Sequence, residues 1–473
     1  MQERLSEVIS YGMELGATFV DVRLQKIERT TINLIDGKGQ AISGSDGGTA
    51  IRILADGAWG FASIVSMELD VLKSGVRDAY HLAKLGANHI RDPIDLYPVE
   101  PKTDDVQIKL QVDPREIPTE EKKQKLVDLH RSMKNPNKQI ISSTISYADI
   151  VGKQYYQSSD GRQITLDKCI TWARILVNGK DGTIRAGGRE ELASPYGYWV
   201  FNDNHLNEIG ERLVTRVKRN LEAGQAKGGS FPAILGPPVT GVLAHEACGH
   251  LFEADLTQNG VIGTALGQTI GSPYATIIDS GVHPDGIGAF AYDDEGIEAQ
   301  ETKILDKGRV NALLTDREYA QKFASISARL SEEQQIVHTP SGNARAFDFR
   351  VRPLIRMRNT YFAPGDMTWE ELLEPIKYGY YCTDFRGGQA SLEGTFTIGV
   401  QEAYEIVDGE LGKPVRGVSL SGNTLETLHG ISGIAKGDVK LNPGRCGKIQ
   451  AAFTGDGGPL GLRVDSINVS AEK

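Results

Sequence analysis

Two landmarks recur in the first half of the chain at almost one offset, and they constrain the fold more than any other feature. An Asp-Gly-basic turn stands at Asp36–Lys38 and again at Asp160–Arg162, 124 residues on; an Arg-Ile-Leu run stands at Arg52–Leu54 and again at Arg174–Leu176, 122 residues on. Repetition at one spacing marks a supersecondary unit used twice. The first copy, about residues 1–90, begins with a helix carrying Leu5, Val8, Ile9 and Met13 on one face. It continues with the alternating strand residues Val20, Val22 and Leu24, a hairpin turn at Asp56-Gly57, and a helix that groups Leu72, Val76, Ala79, Tyr80 and Ala83. The second copy, 118–222, opens with a charged helix at Pro118-Thr119, passes through strand-like runs and closes with a helix from Asn202. Residues 1–222 therefore read as an amino-terminal region of two similar helix-strand-hairpin-helix units.

A Gly- and Pro-rich connection is expected at 223–232. Beyond it, 233–473 alternates short strands with turns and two or three helices, one opened by the capping box Thr368 to Glu371. Strands and hairpins outnumber helices and no regular βαβ alternation occurs, so the class is α+β with a strand-rich carboxy-terminal domain. A length of 473 residues is ample for more than one buried core.

Charge and cysteine usage exclude several functions. The net charge is -10, with no long block of Lys and Arg, which argues against direct nucleic-acid binding. No stretch approaches the roughly 18 apolar residues of a membrane span, so no membrane contact is expected. The amino terminus has acidic residues and helical apolar spacing rather than a basic start and an apolar run, which places the protein in the cytoplasm. Cys169, Cys248, Cys382 and Cys446 are widely scattered. In that compartment they are core residues, metal ligands or reactive thiols rather than disulfides.

The most informative segment runs from Ile234 to Leu256. Gly236-Pro237-Pro238 ends a strand and starts a helix that bears His245, Glu246 and His250. Histidines four apart on an α-helix share a face and reach one metal ion, with the glutamate between them as general base. Here the second histidine is five residues on, about 140° around an ideal helix. One ion can be shared only if the helix widens by a π-type turn or breaks, which Gly249 permits. A buried Glu beside two His among Val242, Leu243, Leu251 and Phe252 also calls for a compensating cation. A catalytic zinc typically has three protein ligands. The candidates for the third are Cys248, Glu253, Asp255, His283, Cys382 and Cys446, with Cys446, placed between glycines in an exposed turn, narrowly ahead of Glu253.

Other motifs are weaker. In Gly417–Gly422, Ser421 occupies the place where a nucleophile elbow needs its second glycine. The acidic run 292–298 lacks the ligand ladder of a calcium loop and reads as a solvated loop. Tyr380 and Tyr381, in an aromatic run, are candidates to offer a phenol to a tetrahedral intermediate.

The motif His245–Asp255, the string Ser341–Ala346, the segment Gly379–Gly417 and the run Pro443–Lys448 together resemble the TldD/PmbA family of metallopeptidases, along essentially the whole chain. The resemblance is to the TldD-like catalytic branch, which keeps its ligands where the TldE or PmbA-like branch has lost them. It implies zinc held by His245, His250 and Cys446, with Glu246 as general base. It also implies a cytoplasmic enzyme acting on peptides and unfolded polypeptides as a heterodimer with a TldE/PmbA-like subunit, or as a homo-oligomer. A non-enzymatic, gyrase-modulator-like regulatory subunit is the alternative. One departure stands beyond the ligand: the family commonly reads C-G-K-x-G-Q, whereas Cys446 is followed by Gly447-Lys448-Ile449-Gln450.

Overall fold

The computed structural model describes residues 2–257, 260–327, 336 and 338–471. The first repeat comprises helix α1 (Gln2–Glu14), strands β1 (Phe19–Ile35), β2 (Lys38–Ala55) and β3 (Ala58–Ile64), and helix α2 (Leu69–Ala87). A short strand β4 (Lys102–Val106) follows. The second repeat has the same order: α3 (Thr119–Lys134), β5 (Ile140–Ser158), β6 (Arg162–Asp181), β7 (Ile184–Ser194) and α4 (Asp203–Glu222). The paired landmarks fall at equivalent places, the Asp-Gly turns between the first two strands and the Arg-Ile-Leu runs on β2 and β6. Asp36-Gly37 and Asp56-Gly57 both have positive φ at each residue, the geometry of the tight turn that suits twisted strands.

The two units are not separate bodies. β1 pairs antiparallel with β5 from Asp21↔Ser158 to Ile35↔Thr144, fusing them into one sheet of order β3-β2-β1-β5-β6-β4, with β7 also on β6. All four helices cover one face. Leu5, Val8, Leu72 and Val76 pack on Val20, Val22 and Ile53, while Leu126, Leu213 and Val217 pack on Ile32, Ile145 and Ile175. Met13, expected on the buried face of α1, is 40% exposed; Gly12 takes its place against Val20.

Strand side chains alternate between faces, so Asp21, Arg23, Gln25 and Ile27 point away from the helices, toward the carboxy-terminal half. They meet the acidic run 292–298, whose expected solvation is incorrect: Asp293, Asp294 and Glu295 are buried. Arg52 pairs with Asp21 and with Glu295 (2.8 Å), Gln154 donates to Asp294 (2.9 Å), and Asp293 accepts N–H bonds from Glu295, Ile297 and Ala344. Their arginine partners sit far off in sequence, which is why local composition suggested a loop in water.

Residues 223–232, expected as a connection, contain β8 (Gly224–Gln225) and the start of β9 (Gly229–Leu235), both members of an eight-stranded sheet. Within that sheet Tyr378–Ala390 pairs with β9 on one side and with Thr395–Val407 on the other, so five strands close into a ring. A six-stranded sheet lies beside it, ending in the hairpin Lys440–Lys448 and Gln450–Gly458. The capping box at Thr368 is present, with both reciprocal bonds made. Among the described residues no helix is long and apolar enough to cross a membrane.

Candidate metal centre

β9 stops at Gly236, and Pro237 and Pro238 occupy the first positions of helix α5 (Pro237–Val242), where a missing N–H costs nothing. The helix then widens into a π turn over Leu243–Cys248 and tightens to a 3₁₀ turn over Gly249–Phe252. The distortion that the five-residue spacing requires is therefore present. It turns His245 and His250 toward each other, with ring centroids 4.9 Å apart and planes at 89°. Gly249 has ordinary helical φ, so conformational freedom is not its role. A Cβ there would meet Met357 Sδ at 2.0 Å, and the glycine lets that side chain press against the π turn.

The opposite wall is the hairpin. Cys446 lies on its outer strand, paired with Ala452, rather than in an exposed turn, and its Sγ is 3.4 Å from His250 Nε2. The ligand atoms of His245, His250 and Cys446 all lie within 4.8 Å of one another. Beyond Cys446 the departure from the family pattern forms a one-residue tip, Ile449, with φ of 60° and 96% exposed.

Each imidazole has a carboxylate behind it. Glu253 Oε2 is 2.8 Å from His250 Nδ1, and Asp456 Oδ2 is 3.0 Å from His245 Nδ1. Glu253, weighed as a ligand, is thus one layer further out. It is fully buried, takes Lys448 Nζ at 3.1 Å and has Arg356 Nε at 4.0 Å. Burial alone would raise its pKa; His250, Lys448 and Arg356 outweigh it and hold the carboxyl at about 2. Burial likewise works against a charged Cys446, yet the two histidines bring its thiol down to about 5. Burial disfavours both imidazolium ions, but the neighbouring acids prevail: Asp456 and Cys446 lift His245, and Glu253 lifts His250 to about 9. A pull that strong on protons is a pull on any cation, and a divalent ion competes with protons for the same atoms.

The donors fit zinc. One thiolate and two imidazoles match its preference over magnesium or calcium. With Nδ1 facing Asp456, Nε2 of the buried His245 has no hydrogen-bond partner among the described residues, an unmet demand that an ion there would satisfy. Glu246, next in sequence, lines the adjoining cleft; burial raises its pKa, with the two histidines opposing. Gly388 makes room for it, since a Cβ there would lie 3.2 Å from Glu246 Cγ.

The remaining candidates lie elsewhere. Cys248 and Cys382 are buried core thiols, each pushed up to about 12 by burial. Asp255 accepts from Lys448, and His283 packs against the Tyr361 ring. Neither tyrosine reaches the cleft. Tyr380 is fully buried with its hydroxyl bonded to the backbone N–H and C=O of Lys227, and Tyr381 packs on Trp369. Their strand reaches the cleft only at Phe385, Gly387 and Gly388, opposite Asn442–Cys446 and with Arg189 at one end. Asp456 has no local signature in the sequence, because its flanking glycines resemble a loop; its place on the hairpin strand paired with that of Cys446 is what marks it.

Three consecutive domains of one family of metallopeptidases match this chain: PmbA/TldA domain 1 over residues 20–83, the central domain over 112–221 and the C-terminal domain over 228–471. The chain belongs to the PmbA/TldD family. A zinc metalloprotease TldD homolog of Saccharolobus solfataricus is 33% identical over 98% of each chain, and a metalloprotease of Methanocaldococcus jannaschii is 33% identical over 96% of this chain and 97% of its own. Among solved structures, TldE of Thermococcus kodakarensis superposes with a TM-score of 0.74 at 17% identity, covering 99% of this chain and all of its own. A Thermotoga maritima protein described as a candidate DNA gyrase modulator does so with 0.74 at 19%, at the same coverage. Those two likenesses are likenesses of fold. The α+β class with a strand-rich carboxy-terminal region is common to this PmbA/TldD chain and its structural neighbours.

Proposed function

We propose that this PmbA/TldD chain is a zinc-dependent peptidase that hydrolyses peptides or unfolded polypeptides together with a homologous subunit of the TldE/PmbA kind. The observation that carries the reading is the convergence of His245, His250 and Cys446 within 4.8 Å, beside Glu246 in an open cleft. When bound, zinc lowers the pKa of a water and polarises a carbonyl. Glu246 takes the proton of the attacking water on its carboxylate and passes it to the leaving amine; a pKa raised by burial suits a group that must both accept and return a proton near neutrality. Glu253 and Asp456 hold the imidazoles in register through their Nδ1 atoms, leaving both Nε2 atoms for the ion.

Substrate binding follows from the cleft walls. Residues 386–390 are exposed at the end of a ring strand, and Lys440–Lys448 is the outermost strand of its sheet. An extended peptide can add to such an edge through backbone hydrogen bonds, which accepts many sequences and rejects folded domains. A homologous subunit covering these edges would enclose the cleft and remove an association hazard. The test is digestion of a mixed pool of unfolded peptides, read by mass spectrometry. Cleavage should cease after chelation and return with zinc, whereas cleavage indifferent to chelator would refute the reading.

A further inference from the structure

We propose that the cavity between the amino-terminal sheet and the carboxy-terminal half is a second binding site, built for a small apolar monocarboxylate. It measures about 250 Å³ and shares no lining residue with the metal cleft. A cavity of ~150 Å³ already admits a benzene ring. One wall follows from strand alternation: Ile27, Ile150, Leu166 and Ile170 lie on the face of β1, β5 and β6 turned away from the helices. Ile287, Phe290, Phe347 and Phe453 form the other.

Hydrocarbon alone would take a neutral guest, but the lining charges are unbalanced. Arg29, Lys168 and Arg345 line the cavity against Asp167 and Asp294. Both acids are already engaged. Asp167 holds Lys153 at 2.6 Å and the Ile108 N–H; Asp294 is shared by Arg23 and Lys168, each at 3.5 Å, and accepts from Gln154 and the Ala346 N–H. Among the described residues Arg345 donates to the backbone carbonyls of Met357 and Phe453 and to no carboxylate. Among the described residues Nε and Nη2 of Arg29 are buried without a hydrogen-bond partner, and its guanidinium lies 5.4 Å over the Phe347 ring; Asp46, which feels the Arg29 charge, is itself paired with Arg350 at 2.6 Å.

Buried guanidinium donors without acceptors are costly, and a carboxylate meets them two at a time. The acid group of the guest therefore sits at Arg29, and an acyl or aryl body extends over Phe347 toward Phe290 and Ile170. Two sources share this chemistry, a free acyl or aryl acid and the carboxyl end of a short apolar peptide.

Calorimetric titration of the full-length protein with 4-phenylbutyrate tests the site, with N-acetylphenylalanine as the peptide arm. Saturable binding of one molecule per chain is expected, and the tighter of the two acids identifies the source. The emission of Trp172, which packs with Ile287 and Phe453, should shift in step. 4-Phenylbutanamide, matched in shape but uncharged, should bind at least tenfold more weakly, as should 4-phenylbutyrate to Arg29→Gln. Leu166→Trp, which fills the cavity, should abolish binding. Melting curves show that the variants are folded; Arg29→Gln keeps the test decisive should Leu166→Trp misfold. No saturable binding at millimolar acid, an amide that binds as well as the acid, or unchanged affinity in folded Arg29→Gln would each overturn the proposal.

Discussion

Glu253 is fully buried with a carboxylate oxygen 2.8 Å from His250 Nδ1. In the string it is one more acid after a histidine; in the fold it is a buried carboxylate that positions His250. In the folded chain it is ionised down to about pH 2, against an ordinary value of 4.5. Its contribution to stability is therefore complete above pH 4.5 and is lost as pH falls toward 2, a full effect of about 3 kcal/mol. Urea unfolding of metal-depleted Glu253→Gln should show a deficit against wild type at neutral pH that closes on acidification, and its zinc affinity should fall ~10- to 100-fold. Cys446 and Cys248 make a sharper pair. Cys446→Ala should shed zinc and abolish the thiolate charge-transfer band of the cobalt-substituted protein, while Cys248→Ala should cost only ~1 kcal/mol as a small core truncation. That both histidines, Glu246 and the leading third donor would gather at one candidate site was legible because residue type and spacing carry that signal. Asp456 was not, because a carboxylate between glycines has no local signature, and Tyr380 misled because a phenol near a motif is not yet a phenol in the cleft.

The decisive element is the π turn. A five-residue spacing cannot serve one ion on a regular helix, so the distortion could be read from the spacing itself. The reason for Gly249 could not, since it lies in Met357, more than a hundred residues away. Gly249→Ala should force the helix off Met357, lowering stability by ~1 to 3 kcal/mol and weakening zinc binding. Adding Met357→Ala should recover part of both losses, measured by thermal melting and metal titration; an unaffected single variant would show that the close approach is not what holds the turn. The repeated units were legible for the same reason as the π turn, because period and offset survive when residue identity does not. The strand pairing within 223–232 was not legible, because glycine-rich strands at a ring closure look like loop until their partners are known.

At the scale of the whole molecule, the acidic run 292–298 joins the two halves. Arg52 is held between Asp21 of its own sheet and Glu295 of the other half. Replacing it leaves two buried carboxylates uncompensated, so Arg52→Met should lower stability by ~3 to 5 kcal/mol in urea unfolding. A loss under 1 kcal/mol would mean that the pairs do not fasten the halves together. That frame carries the hairpin with Cys446 to the helix with His245 and His250, and the proposed hydrolysis there rests on Glu246. The most direct measurement is hydrolysis of unfolded casein by wild type and Glu246→Gln, prepared alike in the presence of the homologous subunit, with zinc content determined for both. The account predicts about one zinc per chain in each and a rate in the variant lower by at least ~10²- to 10⁴-fold; a Glu246→Gln protein that binds zinc and still hydrolyses casein at the wild-type rate would contradict it.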